Sequence, residues 1–500
     1  MKKNKILLIA AVACTSMFSS CSDLLDLYPE DSLSDPKFWT SVQDLELYAN
    51  GFYGILPGAQ GPGADDESDC YVNEKPKTWI FNLETIPTSG GGWGNGDWGN
   101  IRSCNYFMAR YKQVKGDESQ INRSVAVVRF FRAWEYVYKV KRFGDVPWYE
   151  TELQMDSEEL YKGRDSRKVV FTHILEDLDF AITNLSTTPS VYTVTKWTAL
   201  SLKSRVCLFE GTFRKYHNLN LSTNADFFLQ ESITASRELM KESNYTLYTE
   251  GGTNQAYRKL FTSQNAPTTE VIMARNYNLT YDIYNTVGTY HTSVGEGRPG
   301  VTRKIIASYL MNDGSRFTDN PNWETMTFVD ECKNRDPRLA QSICTPSYQP
   351  IVSNRKNIPD LNACVTGYQL IKYEDEAVGG KSDIDLFYFR LAEVYLNYAE
   401  ALAEINQLTQ DDLDISINKL RDRVGMPHLI MKTANANPDP YLLANTTGYP
   451  NVSGANQGVI LEIRRERTIE LLSEHFRYDD ILRWKAGQNM KQAILGMYFP

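Results

Sequence analysis

Apolar residues recur at three- and four-residue spacings over both ends of this chain, the mark of helices that bury one face. Near the start, Phe38, Val42, Leu45, Tyr48, Phe52 and Leu56 line one face behind Ser34-Asp35-Pro36, a capping residue and a proline suited to a first helical turn. A second helix is predicted over 125–142, stopped by Gly144 and Pro147. Phe171, Leu175, Leu178, Ile182 and Leu185 make a third stripe. Ala199, Leu202, Val206, Phe209, Phe213 and Tyr216 make a fourth, and a fifth helix covers 225–243. After a long interruption the periodicity returns over 387–405, 411–424 (ended by Gly425 and Pro427), 458–473 and 478–491. Ala392, Ala399 and Ala401 put small residues where two helices can approach closely while Tyr and Leu fill the neighbouring grooves. The pattern predicts a mainly α protein of about four tetratricopeptide-like helix pairs, without that motif's strict repeat length. A generic helical bundle would carry the same stripes and would not change the functional reading.

The interruption, 245–385, is rich in Asn, Thr, Gly, Pro and Tyr and holds short strand-like pieces such as Glu270-Val271-Ile272-Met273-Ala274. A loop-rich insertion of this length in a compact protein is usually functional. The first residues have a different character. Lys2, Lys3 and Lys5 precede a short apolar run and then Phe18-Ser19-Ser20-Cys21. A basic start, a short apolar core and small residues before a cut site describe a secretory signal, too short to span a bilayer. Phe18-Ser19-Ser20-Cys21 is similar to a bacterial lipobox, which implies cleavage before Cys21 and acylation of its thiol. Cys14 is the rival, but it would leave a very short apolar core. The expected organisation is a signal over 1–20, a lipidated tether over 21–34, a helical region over 35–244 and the insertion over 245–385. A second helical region follows over 386–500. No other stretch is long and apolar enough to cross a membrane, so lipid is the only membrane attachment expected.

Charge narrows the partners. The chain of 500 residues carries −9. Removing 1–20 takes away three lysines and no acids and leaves −12, which argues against nucleic acid and anionic membrane surfaces. Thirty tyrosines and nine tryptophans are a heavy aromatic load. The cysteines after Cys21 form no close pairs and no metal spacing. Cys207 falls inside a helical stripe, and disulfides among Cys70, Cys104, Cys332, Cys344 and Cys364 stay open. Five scattered histidines form no zinc pair and no nucleophile–base set, and no metal or cofactor is expected.

Residues 89–107 read SGGGWGNGDWGNIRSCNYF and contain Gly94-x-Gly96-x-x-Gly99, the spacing of a dinucleotide-binding loop, with Asp117 near the place of a ribose-binding acid. A strand over 78–83 and a helix over 101–114 would complete that picture. No second parallel strand follows, and a nucleotide cofactor would be scarce outside the cytoplasm, so the motif is read as coincidence. Glycine and tryptophan together suit a different ligand. Sugars present an apolar C–H face and a rim of hydroxyls, matched by flat rings and by Asn, Asp and Arg. Trp93 and Trp98 lie among Asn95, Asp97 and Asn100, with Trp79 and the acidic run ending at Asp69 close by in sequence. Tyr277, Tyr281, Tyr284 and Tyr290 with Asn276, Asn278, Asn285 and His291 make a second cluster, and Trp323 follows. The candidate glycan contacts are Trp93, Trp79, Asn95, Asp69, Tyr281, Tyr284, Tyr290 and Trp323. Core packing competes for each ring, and Trp98 in particular is expected to pack on the helix after it.

Near the end, Glu466, Arg467, Glu470 and Glu474 are three or four apart on one helix. With Arg477, Asp480 and Arg483 they predict an ion network fixing the last helix pair. A carboxylate pair for glycoside hydrolysis is the sharper alternative, but flanking arginines would hold both acids ionised. Asn334-Arg335-Asp336-Pro337-Arg338-Leu339 is read as a charged turn that anchors the insertion.

Several segments carry a resemblance over essentially the whole chain. They are Arg129-x-x-Arg132-Ala133 leading to Phe143-Gly144-Asp145-Val146-Pro147-Trp148, Ala199-Leu200-x-Leu202-Lys203-x-Arg205-Val206, and Asp313-Gly314-Ser315-Arg316-Phe317. The Asn334–Leu339 turn, Arg390-x-Ala392-Glu393-Val394-Tyr395-Leu396, Glu466-Arg467-x-x-Glu470-Leu471 and Arg477-Tyr478-x-Asp480-Ile481-x-Arg483-Trp484 complete the series. In this order, behind a lipoprotein signal, the chain resembles the SusD/RagB family of outer-membrane nutrient-binding lipoproteins. One departure is His475 after Glu474, where the family usually has glycine, which puts the helix–helix turn there in doubt. The resemblance implies a right-handed scaffold of tetratricopeptide-like pairs on the cell-surface side of the outer membrane. It also implies a TonB-dependent SusC-like transporter as partner, an oligosaccharide or other nutrient as ligand, and no catalysis. A secreted glycoside hydrolase and a non-binding helical scaffold are the alternatives.

Overall fold

A computed structural model describes residues 38–58, 65–66, 68–77, 85–348, 360–375 and 380–500. The predicted cap Ser34-Asp35-Pro36 lies outside them. Helix α1 (Val42–Asn50) starts one turn into the predicted stripe because Ser41 caps it: the Ser41 hydroxyl accepts from the Asp44 N–H, and the Asp44 carboxylate accepts from the Ser41 N–H.

The helices that build the body are α2 (Gly99–Arg110), α3 (Glu118–Phe143), α4 (Arg167–Asn184), α5 (Lys196–Tyr216) and α6 (Ala225–Glu242), then α7 (Leu391–Glu404), α8 (Ile417–Val424), α9 (Gln457–Glu470) and α10 (Arg477–Arg483). Their starts have local causes. Asp117, Ser166, Thr195 and Asn224 each accept a hydrogen bond from a first-turn N–H of the helix they precede. Asp117 is thus a helix cap and not a ribose ligand. Gly144 (φ +74°) and Gly425 (φ +71°) end α3 and α8 in a backbone region that disfavours any residue with a Cβ.

Successive helices pair: α3 with α4, α5 with α6, α7 with α8, and α9 with α10 through Arg467 and Asp480. The α5/α6 contact shows why small residues sit at crossings. A Cβ on Gly211 would come within 2.7 Å of the Leu229 side chain. Further contacts join α7 to α6 and to α9. One large core lies under α1–α5, with Phe130, Phe131, Phe171 and Tyr136 wholly buried. A second lies around α7–α10 and closes on Trp484.

Residues 245–385 carry only short helices and strands. The predicted strand is present as Val271–Arg275, and it pairs antiparallel with Leu386–Arg390, Val271 opposite Arg390. That pairing corrects the expected helix over 387–405. Phe387 and Phe389 belong to a strand, and the helix begins only at Leu391, where the backbone leaves its antiparallel partner. A second antiparallel pair, Tyr71–Val72 with Gly300–Val301, ties the segment before the Gly/Trp loop to the insertion. The six cysteines among the described residues are thiols, and no disulfide joins any of them. Among the described residues no helix is long and apolar enough to cross a membrane.

Candidate functional site

The Gly/Trp loop is held by its backbone. Gly90, Gly91 and Gly92 have φ of +73°, +62° and +93°, so three consecutive residues use conformations that side chains disfavour. The C-terminal part of α3 clamps them: Lys139 Nζ donates to the Gly92 carbonyl (2.8 Å) and Arg142 Nε to the Gly91 carbonyl (2.7 Å). The Asp97 carboxylate accepts from the Gly94 N–H (2.7 Å) and closes a 3-10 turn over Asn95–Trp98, from which α2 continues. The spacing of Gly94, Gly96 and Gly99 therefore makes a tight turn into a helix.

On this frame Trp93 is half-buried. Its ring meets Trp98 edge-on at 5.2 Å and Phe143 at 4.8 Å, and the Arg164 guanidinium lies 4.5 Å from its centroid. Trp98, expected to pack on the helix after it, instead meets Tyr149 edge-on at 6.0 Å and has Lys139 Nζ of α3 5.0 Å from its ring. The loop is thus an aromatic patch of Trp93, Trp98, Phe143 and Tyr149 with cations set against the rings. Sequence reasoning missed Arg164, Arg142, Phe143 and Tyr149 as neighbours of Trp93. Phe143 and Arg142 read as the end of a helix, and nothing local announces that residue 164 returns to residue 93.

The other candidates separate. Trp79 and Cys21 lie outside the described residues, and the Asn95 side chain is not described. Asp69 is a correction. It is buried, its two oxygens taken by Arg477 (2.6 and 2.9 Å) and Lys304 (2.5 Å), and those charges hold its carboxyl well below the usual range against the opposing effect of burial. An acid so paired and buried fixes the chain and presents no exposed carboxylate to a hydroxyl rim.

In the insertion, Tyr277 is core (4% exposed), whereas Tyr281 is 75% exposed at the tip of a tight turn closed by the Asn278–Ile283 bridge, with Asp282 at φ +55°. Tyr284 is half-buried, with Lys381 Nζ 4.2 Å from its ring and that lysine bonded to Asp282 at 2.6 Å. Tyr290 is half-buried too, its hydroxyl accepting from Asn73 (3.4 Å), which also donates to Asp66 (3.3 Å). Trp323 packs edge-on against Phe317 (6.1 Å) and Tyr441 (5.7 Å), and its carbonyl accepts from Arg303 (3.3 Å). The ring contacts of Trp93 are thus with the N-terminal helical part, while Tyr290 meets the 65–77 segment and Trp323 meets the C-terminal part.

The acids near the C-terminus form an ion network, but only part of it is the expected one: Asp480 joins Arg467 and Arg483, while Glu466, Glu470 and Glu474 meet basic residues outside the last helix pair. Glu470 is wholly buried and bonds Arg423 (2.5 Å), Arg390 (2.8 Å) and Arg338 (3.2 Å), which hold its carboxyl far below the usual range. Glu466 bonds Arg338 (2.5 Å) and Arg421 (3.1 Å), and Glu474 bonds Lys372 and Arg390 (both 2.7 Å). Held ionised by three guanidiniums, Glu470 carries no proton for the general acid of a glycosidase-like pair to give up. Asn334–Leu339 anchors the insertion as read: Arg335 bonds the carbonyls of Ile306, Tyr309 and Glu331, and Arg338 bonds Asp336. Glu474 leads into His475, which has φ +68°. The glycine expected there answers to that left-handed backbone, which this chain adopts with a side chain in place.

The described residues form a scaffold of paired helices that carries a loop-rich insertion. Two family models match it. The SusD family model covers residues 260–498, and a model described as starch-binding, associating with outer membrane, covers 92–198. The chain is 24% identical to SusD-like protein P38 of Formosa agariphila over 99% of its own length and 95% of that protein's. A solved SusD-like protein of Bacteroides fragilis superposes with a TM-score of 0.74 at 24% identity, covering 94% of this chain and 92% of that one. A SusD-like carbohydrate binding protein from the same organism superposes at 0.68 with 21% identity over 90% and 87%. The chain belongs to the SusD/RagB family.

Proposed function

We propose that this protein captures oligosaccharides at the outer surface of the outer membrane, tethered by lipid on Cys21, and passes them to a TonB-dependent SusC-like transporter without cleaving them. The observation that carries the reading is the Gly/Trp loop. In a chain of a family with a starch-binding model, a half-buried indole packs by its inner side against the first core and stands on a loop whose backbone α3 holds by hydrogen bonds. A pyranose stacked on that ring hides apolar area, and stacking of bases on such rings, a comparable contact, is worth about 1–3 kcal/mol. Trp93 supplies the platform, with Trp79, Asn95, Tyr281, Tyr284, Tyr290 and Trp323 as further candidates. An open surface that must order flexible hydroxyls gives modest affinity, about micromolar or weaker.

Isothermal titration of the mature protein with a panel of oligosaccharides tests binding, and assay of new reducing ends in the same mixtures tests for cleavage. Heat of binding with no new ends is expected. Hydrolysis lost on Glu470→Gln would overturn the non-catalytic reading. Fractionation of cells carrying Cys21→Ala tests the tether, and the variant should leave the membrane fraction when the transporter is absent.

A further inference from the structure

Around the Gly/Trp loop the local charge contradicts the charge of the chain. The protein is acidic, yet the side chains set against the aromatic patch are basic: Arg164 4.5 Å from the Trp93 centroid, Arg142 5.6 Å from Phe143, Lys162 5.1 Å from Tyr149, and Lys139 5.0 Å from Trp98. They divide by what else they do. Lys139 is buried and spent on the Gly92 carbonyl, and Lys162 is paired with Asp165 at 2.7 Å. Arg142 and Arg164 are exposed, and among the described residues neither has a carboxylate within ion-pair distance. The loop's own acid, Asp97, is exposed and accepts from the Gly94 N–H through one oxygen, so one carboxylate stands against the two arginines. Arg142 uses Nε on the Gly91 carbonyl, and Arg164 uses Nη1 on the Phe143 carbonyl at 3.4 Å. Each guanidinium keeps further N–H donors, and the two flank the edge-on Trp93–Phe143 pair.

We infer that the Gly/Trp loop selects anionic sugars, with a pyranose on the Trp93 ring and its carboxylate or sulfate ester on Arg164 and Arg142. This rests on the glycan-binding reading above and adds the charge of the ligand. The planar fork of a guanidinium matches both oxyanions in bidentate fashion, which the point charge of a lysine does not. The setting makes the pair effective. Elsewhere in the protein, buried guanidiniums such as Arg390 and Arg338 are neutralised by carboxylates, so an exposed pair without a carboxylate partner beside half-buried rings is a local positive focus on an acidic molecule. A polyanion repelled by the whole surface would be directed to this loop. Arg164 lies against the Trp93 ring. An incoming sugar takes that place while the guanidinium moves to the sugar's charged group, exchanging a cation–π contact for a charge-assisted hydrogen bond.

The test uses the mature protein and two matched sets of probes: oligogalacturonides against their methyl esters, and sulfated galactan oligosaccharides against their desulfated forms. At low ionic strength the charged member of one set should bind about tenfold more tightly than its neutral counterpart. Added salt should weaken the charged ligand and leave the neutral one unmoved. A response to the first set alone assigns carboxylate, and to the second alone sulfate ester. Arg164→Gln should abolish the discrimination without lowering the melting temperature, and Arg164→Lys should restore part of it. Equal affinity for charged and neutral members, or discrimination that survives Arg164→Gln, overturns the inference. Glycan capture would still stand in that case if neutral oligosaccharides bind and lose affinity in Trp93→Ala. No binding of any oligosaccharide, charged or neutral, would sink both.

Discussion

Two regions of this protein bring arginines together with aromatic rings, and they do opposite things with them. Around α7, α9 and α10 the guanidiniums are inside. Arg390 bonds Glu270, Glu470 and Glu474, Arg483 bonds Glu400 and Asp480, and Arg464 lies 4.5 Å from Trp484. At the Gly/Trp loop the guanidiniums are outside, set against half-buried rings and free of carboxylates among the described residues. Burial decides the difference. A charge taken out of water must be matched on the spot, so the interior arginines carry their acids with them. A surface arginine keeps its water and can wait for a partner that arrives by diffusion. The first arrangement fixes the helices, and the second is fitted to bind.

The comparison can be broken first at its interior end. Glu470→Ala leaves Arg423, Arg390 and Arg338 short of a shared buried acid, and removal of one partner from such a set costs about 3–5 kcal/mol. Urea denaturation should show that loss, or the variant should fail to accumulate. A fall under 1 kcal/mol would mean the network is not what holds α9.

Acid should act on the same region. Arg483 and its neighbouring guanidiniums lower the Glu400 carboxyl from 4.5 to about 2 against the opposing effect of burial. A carboxyl depressed in the folded state stabilises above its unfolded pKa, and that contribution is lost as pH falls through the folded value. Stability should therefore decline between about pH 4.5 and pH 2, by about 3 kcal/mol from this group at the lower limit. Urea midpoints measured at falling pH check it, and a flat profile down to pH 3 would contradict it.

At the exterior end, Trp93→Ala should weaken glycan binding about tenfold, since about 1.4 kcal/mol is one decade. Titration beside a melting curve separates the two parts of its role. The ring meets Trp98 and Phe143 through edges, so the melting temperature should fall by only a few degrees. Unchanged affinity with a large drop in melting temperature would make Trp93 a core residue.

The smallest effect sharpens the interior case. His475→Gly relieves a side chain at φ +68° but loosens the unfolded chain, so it should stabilise by about 0.5 kcal/mol. Destabilisation would show that the imidazole's own contacts outweigh the strain.

Much of the scaffold was legible in local terms. The stops at Gly144 and Gly425 are short-range chemistry and were read as such, whereas the cap at Asp117 went unread and the helix taken to begin at Val125 starts at Glu118. Two other errors share one physical cause. Phe387 continued a helical stripe until a strand more than a hundred residues earlier claimed it, because pairing with Val271–Arg275 satisfies its backbone. Asp69 looked like a surface acid until Arg477 and Lys304 reached it.

The sequence by itself determined that α3 stops at Gly144 and α8 at Gly425, and that glycine and tryptophan share an uncommon loop, because each depends on neighbours a few bonds away. Only the tertiary structure decided which arginine meets which acid and which ring stays open. Asp69 and Arg477 stand 408 positions apart, and Arg164 reaches Trp93 from another loop. Burial is a property of the packed whole, and burial determines whether a charge closes on the protein or remains available to a ligand.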